Sequence, residues 1–97
     1  MFLTIGTLLT LLAGAVIVTV AVIAFKKIRE YLNRLRLRRA VTRFAALYKV
    51  GDVQHVSAGL FDQEANSVPE ATVFKGSSID SETQRLLPPE EIVLLDV

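Results

Sequence analysis

Residues 2–25 read FLTIGTLLTLLAGAVIVTVAVIAF, and this apolar stretch decides the fold that we expect for the chain. It contains no charged residue and no Asn, Gln, His or Pro. At a rise of about 1.5 Å per residue, a helix of this length extends roughly 36 Å, enough to cross a hydrocarbon core of about 30 Å. A cleaved signal peptide fits poorly, because no Lys or Arg precedes the run and no small-residue cleavage site ends it. We therefore predict one transmembrane helix over residues 2–25.

The charged residues are divided unevenly between the two halves that follow. Residues 26–50 contain nine basic side chains and one acidic side chain, whereas residues 51–97 contain nine acidic and two basic ones. Lys and Arg next to a membrane span stay on the cytoplasmic side. We therefore predict a single-pass protein with its N-terminus outside or lumenal and its C-terminus cytoplasmic.

Residues 26–50 contain neither Gly nor Pro, so the helix is expected to continue until Gly51, which suits the position just after a helix end. From Leu37 onward, apolar residues share one helical face and arginines share the other, which is typical of a basic amphipathic helix at a bilayer surface. Binding of nucleic acid is a less favoured alternative. The residues predicted to contact anionic headgroups are Lys26, Lys27, Arg36, Arg38, Arg39 and Arg43.

Residues 51–97 carry too little apolar area of their own to offset the entropy of ordering them, so this acidic tail is expected to be largely flexible. Local structure is predicted at three places. Residues 51–62 could form a short hairpin, residues 71–74 an extended segment, and Asp80 or Ser81 could cap a helical turn that reaches Leu87 before Pro88 and Pro89.

Catalytic residue types are few. His55, Ser57 and Asp62 could together supply a base, a nucleophile and a carboxylate, but no motif frames them. The chain has no Cys, so thiolate chemistry and Cys-based metal sites are excluded. We predict a protein that is not an enzyme and has no cofactor.

Two stretches near the C-terminus resemble a known sorting signal. Residues 82–87, ETQRLL, and residues 90–95, EEIVLL, both place an acid four residues before a leucine pair. They resemble the acidic dileucine signal, by which cytoplasmic tails of eukaryotic membrane proteins engage clathrin adaptors. The resemblance implies a partner-binding tail with contact residues Glu82, Leu86, Leu87, Leu94 and Leu95.

Small residues recur in the predicted span at Gly6, Thr10 and Gly14. A spacing of four places them along one side of a helix, where a second backbone can approach closely. The spacing indicates that copies of the chain could associate through this face as a homo-oligomer.

Together these patterns predict an all-α membrane protein. Its parts are a transmembrane helix over 2–25, a basic amphipathic juxtamembrane helix over 26–50 and a mostly disordered acidic tail over 51–97. The predicted function is that of a non-catalytic adaptor or accessory subunit, whose partners are an anionic bilayer and another membrane or cytoplasmic protein. The alternative is a homo-oligomeric membrane protein of the viroporin or holin type.

Overall fold

In the computed structural model, which describes residues 4–12 and 14–95, strands are the main secondary structure. The described residues form, in chain order, α1 (Ile5–Leu11), β1 (Val16–Thr19), β2 (Val22–Ile23), α2 (Phe25–Asn33), β3 (Val41–Val50), β4 (Val53–Asp62), β5 (Ser67–Gly76), β6 (Ser78–Ile79), α3 (Ser81–Leu86) and β7 (Ile92–Leu95).

Five strands form one sheet in the order β1-β5-β4-β3-β7. The strands β3, β4 and β5 are consecutive and antiparallel, β7 joins β3 antiparallel, and β1 joins β5 in parallel. The short strands β2 and β6 form a separate parallel pair. The sheet therefore brings the first and last parts of the chain to its two outer edges.

The predicted transmembrane helix is wrong. No helix among the described residues is long and apolar enough to cross a membrane. The stretch contains a seven-residue helix, then Gly14 with a φ of +87°, then two strands. A positive φ suits glycine and ends a right-handed helix, and the β-branched run that begins at Val16 fits a pleated strand better than a helix. The predicted single-pass localisation, with its outside N-terminus, is wrong for the same reason.

The predicted juxtamembrane helix over 26–50 is also wrong beyond its first eight residues. Helix α2 ends at Asn33, and residues 41–50 form the central strand β3. Five consecutive residues of β3, from Phe44 to Tyr48, are buried, because β3 is covered on both faces. An apolar run of this kind fits a buried strand and a helix almost equally well, so its period does not decide between them.

The prediction that Gly51 follows the end of a helix is wrong: Gly51 has a φ of +62°, but it lies in a hairpin turn. Val50 and Val53 form the last pair of the β3–β4 ladder, so Gly51 and Asp52 make a two-residue loop.

The predicted disordered tail is wrong as well. Residues 51–95 form three strands of the sheet, strand β6 and helix α3. The prediction weighed the apolar area of the tail alone, whereas the tail is buried against residues from the first half of the chain. Val56, Ala58 and Phe74 pack with Phe25 and Ile28 of α2 in one cluster.

The core has two layers, one on each face of the sheet. Helices α2 and α3 cover one face, with a cluster that contains Ile23, Phe25, Ile28, Leu32, Ala45, Leu47, Val56, Ala58, Phe74 and Leu87. Helix α1 covers the other face, with a cluster that contains Leu8, Leu12, Phe44, Ala46, Phe61 and Val73. Part of the predicted membrane span is therefore a core element of the sheet.

Candidate interaction surfaces

The polar cluster that includes His55 and Ser57 lies in the α1-side layer. Ser57 is fully buried, and its Oγ is 2.6 Å from the Tyr48 hydroxyl. The His55 ring stacks on Tyr48 with centroids 5.4 Å apart, and its Nδ1 is 3.1 Å from the Val53 carbonyl oxygen. Asp62 instead accepts backbone hydrogen bonds from the next turn. A serine buried in this way has no surface to offer a substrate, so the cluster acts as part of the core.

Within residues 4–12 and 14–95, no three side chains of the His, Cys, Asp or Glu types lie close enough to hold a metal ion together. The surfaces that remain are therefore charged and apolar ones.

A basic loop follows helix α2 and leads into β3. This segment, residues 34–40, contains four arginines and is called the arginine loop here. It begins at the C-cap of α2, where the Arg34 Nε donates to the Glu30 carbonyl at 3.2 Å. It ends at Ala40, whose φ is +65° and whose carbonyl accepts the Gln63 N–H at 2.8 Å. Both ends of the loop are therefore fixed to regular structure.

Arg43 of β3 connects the strand to the end of α2 and to the start of the arginine loop. Its Nε donates to the Leu32 carbonyl at 3.0 Å and its Nη2 to the Leu35 carbonyl at 3.4 Å. Leu32 lies in the last turn of α2, where carbonyl groups lack helical partners, and a cation is favourable there. Of the residues predicted to contact lipid, Arg43 thus has contacts inside the protein.

The outer side chains of the arginine loop are exposed. Arg36, Arg38 and Arg39 surround Leu37, which is 49% exposed. Arg38 reaches Asp62 with 3.6 Å between Nη2 and Oδ2, although its own side chain stays 67% exposed. Leu37 also lines a cleft of about 280 Å³ with Leu94 and Leu95 of β7. The loop therefore presents a half-exposed leucine beside the β7 edge, between cationic side chains in the sequence.

A cleft of about 510 Å³ lies beside the loop. Its lining includes Arg34, Arg36 and Arg38 together with Leu60, Pro69 and Glu70. The carboxylate of Glu70 reduces the positive charge on that side, so the most cationic surface is the outer side of the loop.

The remaining predicted lipid contacts lie elsewhere. Lys26 and Lys27 are exposed in the first turn of α2, at the opposite end of the helix from the loop, and Lys27 pairs with Glu30 at 3.8 Å. The structure therefore groups Arg36, Arg38 and Arg39 and separates them from the two lysines.

The predicted partner-binding tail is divided between the core and the surface. Leu87 is fully buried and Leu86 packs beside the same cluster. Glu82 is 2.9 Å from the Arg29 guanidinium, across to α2. Leu95 is half-buried, and Leu94 on β7 is 60% exposed. Only Leu94 of these five residues offers a large apolar surface in the folded chain.

The predicted helix-packing residues do not share one helix. Gly6 and Thr10 are exposed on α1, where the Thr10 hydroxyl donates to the Gly6 carbonyl at 3.2 Å. Gly14 lies beyond the end of α1.

Strand β1 is a surface that the sequence reasoning missed. It is one of the two edge strands of the five-stranded sheet, and β5 is its one ladder neighbour among the described residues. All four of its residues are exposed, with Val16 at 65%, Ile17 at 61% and Val18 at 38%. The signal was present as three consecutive β-branched aliphatics, but the membrane interpretation assigned them to lipid.

A second cleft, of about 380 Å³, opens where β1 begins. Tyr31 lines it together with Glu70 and Thr72 of β5. Burial raises the pKa of the Tyr31 phenol above its ordinary value, and the hydrogen bond with Thr72 partly opposes this increase. The phenol is therefore neutral at physiological pH and offers hydrogen bonding instead of charge.

No protein-family model, curated protein or solved structure matches this chain in the three comparisons made.

Proposed function

We propose that this protein is a non-catalytic adaptor that attaches to an anionic lipid surface through the arginine loop. The observation that carries the proposal is the exposure of Leu37 between Arg36, Arg38 and Arg39. A half-exposed leucine in the loop can enter the headgroup boundary while the guanidinium groups meet phosphates. The attachment is peripheral and uses a loop on a folded sheet.

The energies involved suit reversible binding. Each basic residue near an anionic leaflet contributes about 1 kcal/mol, and this contribution weakens as salt screens the charges. Burial of an exposed leucine adds a fraction of the roughly 1.5–3 kcal/mol for a complete side chain. Arg38 contributes less than its neighbours because Asp62 already pairs with it.

Nucleic acid is the competing ligand, since its phosphates attract the same side chains. Two features favour lipid. The arginine loop contains no aromatic side chain on which a base could stack, and its central exposed residue is aliphatic.

The test is cosedimentation of the full chain with phosphatidylcholine vesicles, made with and without phosphatidylserine. We expect binding only to the anionic vesicles. The double variant Arg36→Gln/Arg39→Gln should weaken it by about 2 kcal/mol, or roughly 30-fold. The single variant Leu37→Ser should also weaken vesicle binding, but without changing the salt dependence of that binding.

The matched control is Lys26→Gln/Lys27→Gln, which removes the same charge from exposed positions at the other end of α2. It should change vesicle binding little. Equal losses in the two double variants would mean that net charge, and not the loop, governs attachment. Binding to duplex DNA that falls steeply with salt and ignores Leu37→Ser would favour nucleic acid instead.

The adaptor part of the proposal needs a second surface for a protein partner. Leu94 on the β7 edge is the exposed member of the predicted tail residues. Because Leu94 lines the same cleft as Leu37, a protein partner would bind the β7 edge directly beside the arginine loop.

A further inference from the structure

The exposed strand β1 is only four residues long, but its sequence lacks the charges, prolines and bulges that keep a sheet edge from pairing with another chain. Its residues, Val16–Thr19, include no charged residue and no Pro, and its ladder with β5 runs in unbroken register from Val16 to Thr19. Monomeric proteins commonly protect an edge with Lys, Pro or a bulge, or by covering it. An unprotected apolar edge marks an interaction site.

Strand β1 exposes apolar side chains on both faces of the sheet. Val18 pairs with Phe74, which belongs to the α2-side cluster, whereas Ile17 pairs with Val73, which belongs to the α1-side cluster. Paired residues on neighbouring strands point to the same face. A partner must therefore supply a strand that is apolar on both faces and uncharged.

We propose that this partner is a second copy of the same chain, joined by antiparallel pairing of the two β1 strands. A second copy supplies a strand of this composition, and no like charges would face each other across the contact. The result is one sheet of ten strands around a two-fold axis. This inference is independent of the arginine loop and of lipid binding.

The symmetry restricts the register, and the apolar pattern of β1 then selects one of the allowed registers. With the two-fold axis perpendicular to the sheet, directly opposite residues must point to the same face, so one β1 residue lies opposite its own copy and the axis passes midway between the two. Placing it at Ile17 sets Ile17 against Ile17 of the second copy and Val16 against Val18 on the other face. Placing it at Val18 would set Ile17 against Thr19. The Ile17-centred register makes every central pair apolar.

The first experiment is sedimentation equilibrium of the full chain and two lysine variants. Wild type should behave as a dimer that dissociates on dilution. Ile17→Lys places two cations against each other at the axis and should raise the dissociation constant at least about tenfold. The matched control is Leu94→Lys, the same kind of change on the opposite edge strand at a residue of similar exposure. It should leave the dimer intact.

The register is tested by oxidative crosslinking, since the chain has no Cys of its own. In Ile17→Cys, the two thiols would lie on strands about 4.5–5.5 Å apart, within disulfide reach. In Val16→Cys, the two cysteines are offset by two residues, or about 6.8 Å along the strands, which puts them out of reach. A disulfide dimer should therefore form in the first variant and not in the second.

Circular dichroism of each variant shows whether it keeps the wild-type fold, so that loss of the dimer is not confused with unfolding. A wild-type chain that stays monomeric at its highest attainable concentration would overturn the proposal. So would a mass that grows without limit, loss of the dimer in Leu94→Lys, or equal crosslinking at positions 16 and 17. Vesicle binding of wild type is measured separately, so each proposal can fail alone.

Discussion

One carboxylate, Asp80, holds the first turns of two helices. Its Oδ1 accepts the Thr83 N–H at 2.9 Å as the N-cap of α3, and its two oxygens lie 3.3–3.4 Å from the Phe25 N–H of α2. Ala24, the N-cap of α2, makes no side-chain cap bond. A residue 55 positions away in sequence therefore supplies the cap of α2, which no local pattern could predict.

Asp80→Ala should lower the free energy of unfolding by about 1–2 kcal/mol, because the first turns of two helices lose a hydrogen-bond acceptor. Urea titration measures this loss. Glu64→Ala, in an exposed turn, is the control and should change it by less than about 0.5 kcal/mol. Equal effects in the two variants would show that Asp80 is not a cap.

The stabilisation from Asp80 should also depend on pH. Hydrogen bonds from Thr83, and a further one from the Phe25 backbone, hold the pKa of the Asp80 carboxyl below its ordinary value. The native state then favours the ionised form, so this contribution is complete above the unfolded pKa of about 3.9 and is lost as the pH falls toward the native value. The difference in stability between wild type and Asp80→Asn should therefore shrink below about pH 4. A difference that grows with acid would contradict the assignment.

Gly59 allows two strands to approach where a side chain would not fit. A Cβ at this position would overlap the Glu70 carbonyl oxygen and would lie 2.7 Å from the Ala71 Cα, both on β5. Gly59→Ala should cost roughly 1–3 kcal/mol or more. Gly6→Ala is the same change at an exposed helical position, where the nearest atom to the added Cβ would be the Thr4 Oγ1 at 3.9 Å, and it should be neutral or stabilising by up to about 1 kcal/mol. Thermal unfolding of both variants measures the contrast, and a destabilised Gly6→Ala would contradict it.

Among the elements, α3 is where sequence reasoning succeeded best. Asp80 caps the helix, and the helix ends before Pro88, as its residues predict. Caps and prolines act within a few residues, so their effects can be read locally. The extended segment at 71–74 likewise lies inside β5. The short hairpin predicted over 51–62 is wrong, because these residues contain a turn and one strand, β4, whose hairpin partner is β3.

The leucines of the tail give an element-scale test of whether that segment is ordered. Leu87→Ala should lower the free energy of unfolding by about 2–5 kcal/mol, because the side chain is fully buried against α2 and the sheet. Leu94→Ala, at an exposed position of β7, should change it by less than about 0.5 kcal/mol. Urea titration of both compares them directly. Similarly small effects in both variants would mean that Leu87 is not packed in a core and that this segment is flexible, as the sequence predicted.

At the scale of the whole molecule, the sequence reasoning failed because it treated the three parts of the chain as independent. The β-branched run at 16–23 belongs to the apolar stretch interpreted as a membrane helix, and the acidic half has too little apolar area for a core of its own. The two parts complete one sheet, since β1 from the apolar run pairs with β5 from the acidic half, more than 50 residues later. The same assumption hid the β1 edge, because exposure of a strand depends on its place in the sheet. The cluster of arginines in the arginine loop could be predicted, because these residues are neighbours in the sequence. Their separation from Lys26 and Lys27 could not, because it depends on where α2 ends.

The shared sheet predicts that the described residues unfold as one unit. One core cluster joins Ile23 and Phe25 near the start of the chain to Leu87 near its end, and every helix packs on the same sheet. The chain has no Trp and two Tyr, so each tyrosine can be isolated as a fluorescent probe. Tyr48→Phe leaves Tyr31 on α2, and Tyr31→Phe leaves Tyr48 on β3.

In urea, the fluorescence midpoint of each variant should coincide with its own midpoint by far-ultraviolet circular dichroism, as expected for a two-state domain. The Tyr48→Phe midpoint itself should fall, since the buried Ser57 hydroxyl loses its 2.6 Å partner at a cost of about 1–3 kcal/mol. A Tyr31 signal that changes at lower urea than the circular dichroism would mean that α2 detaches before the sheet unfolds. The arginine loop would then be held by β3 alone in that intermediate, and vesicle binding measured at the same urea concentration would show whether an attached α2 is needed for it.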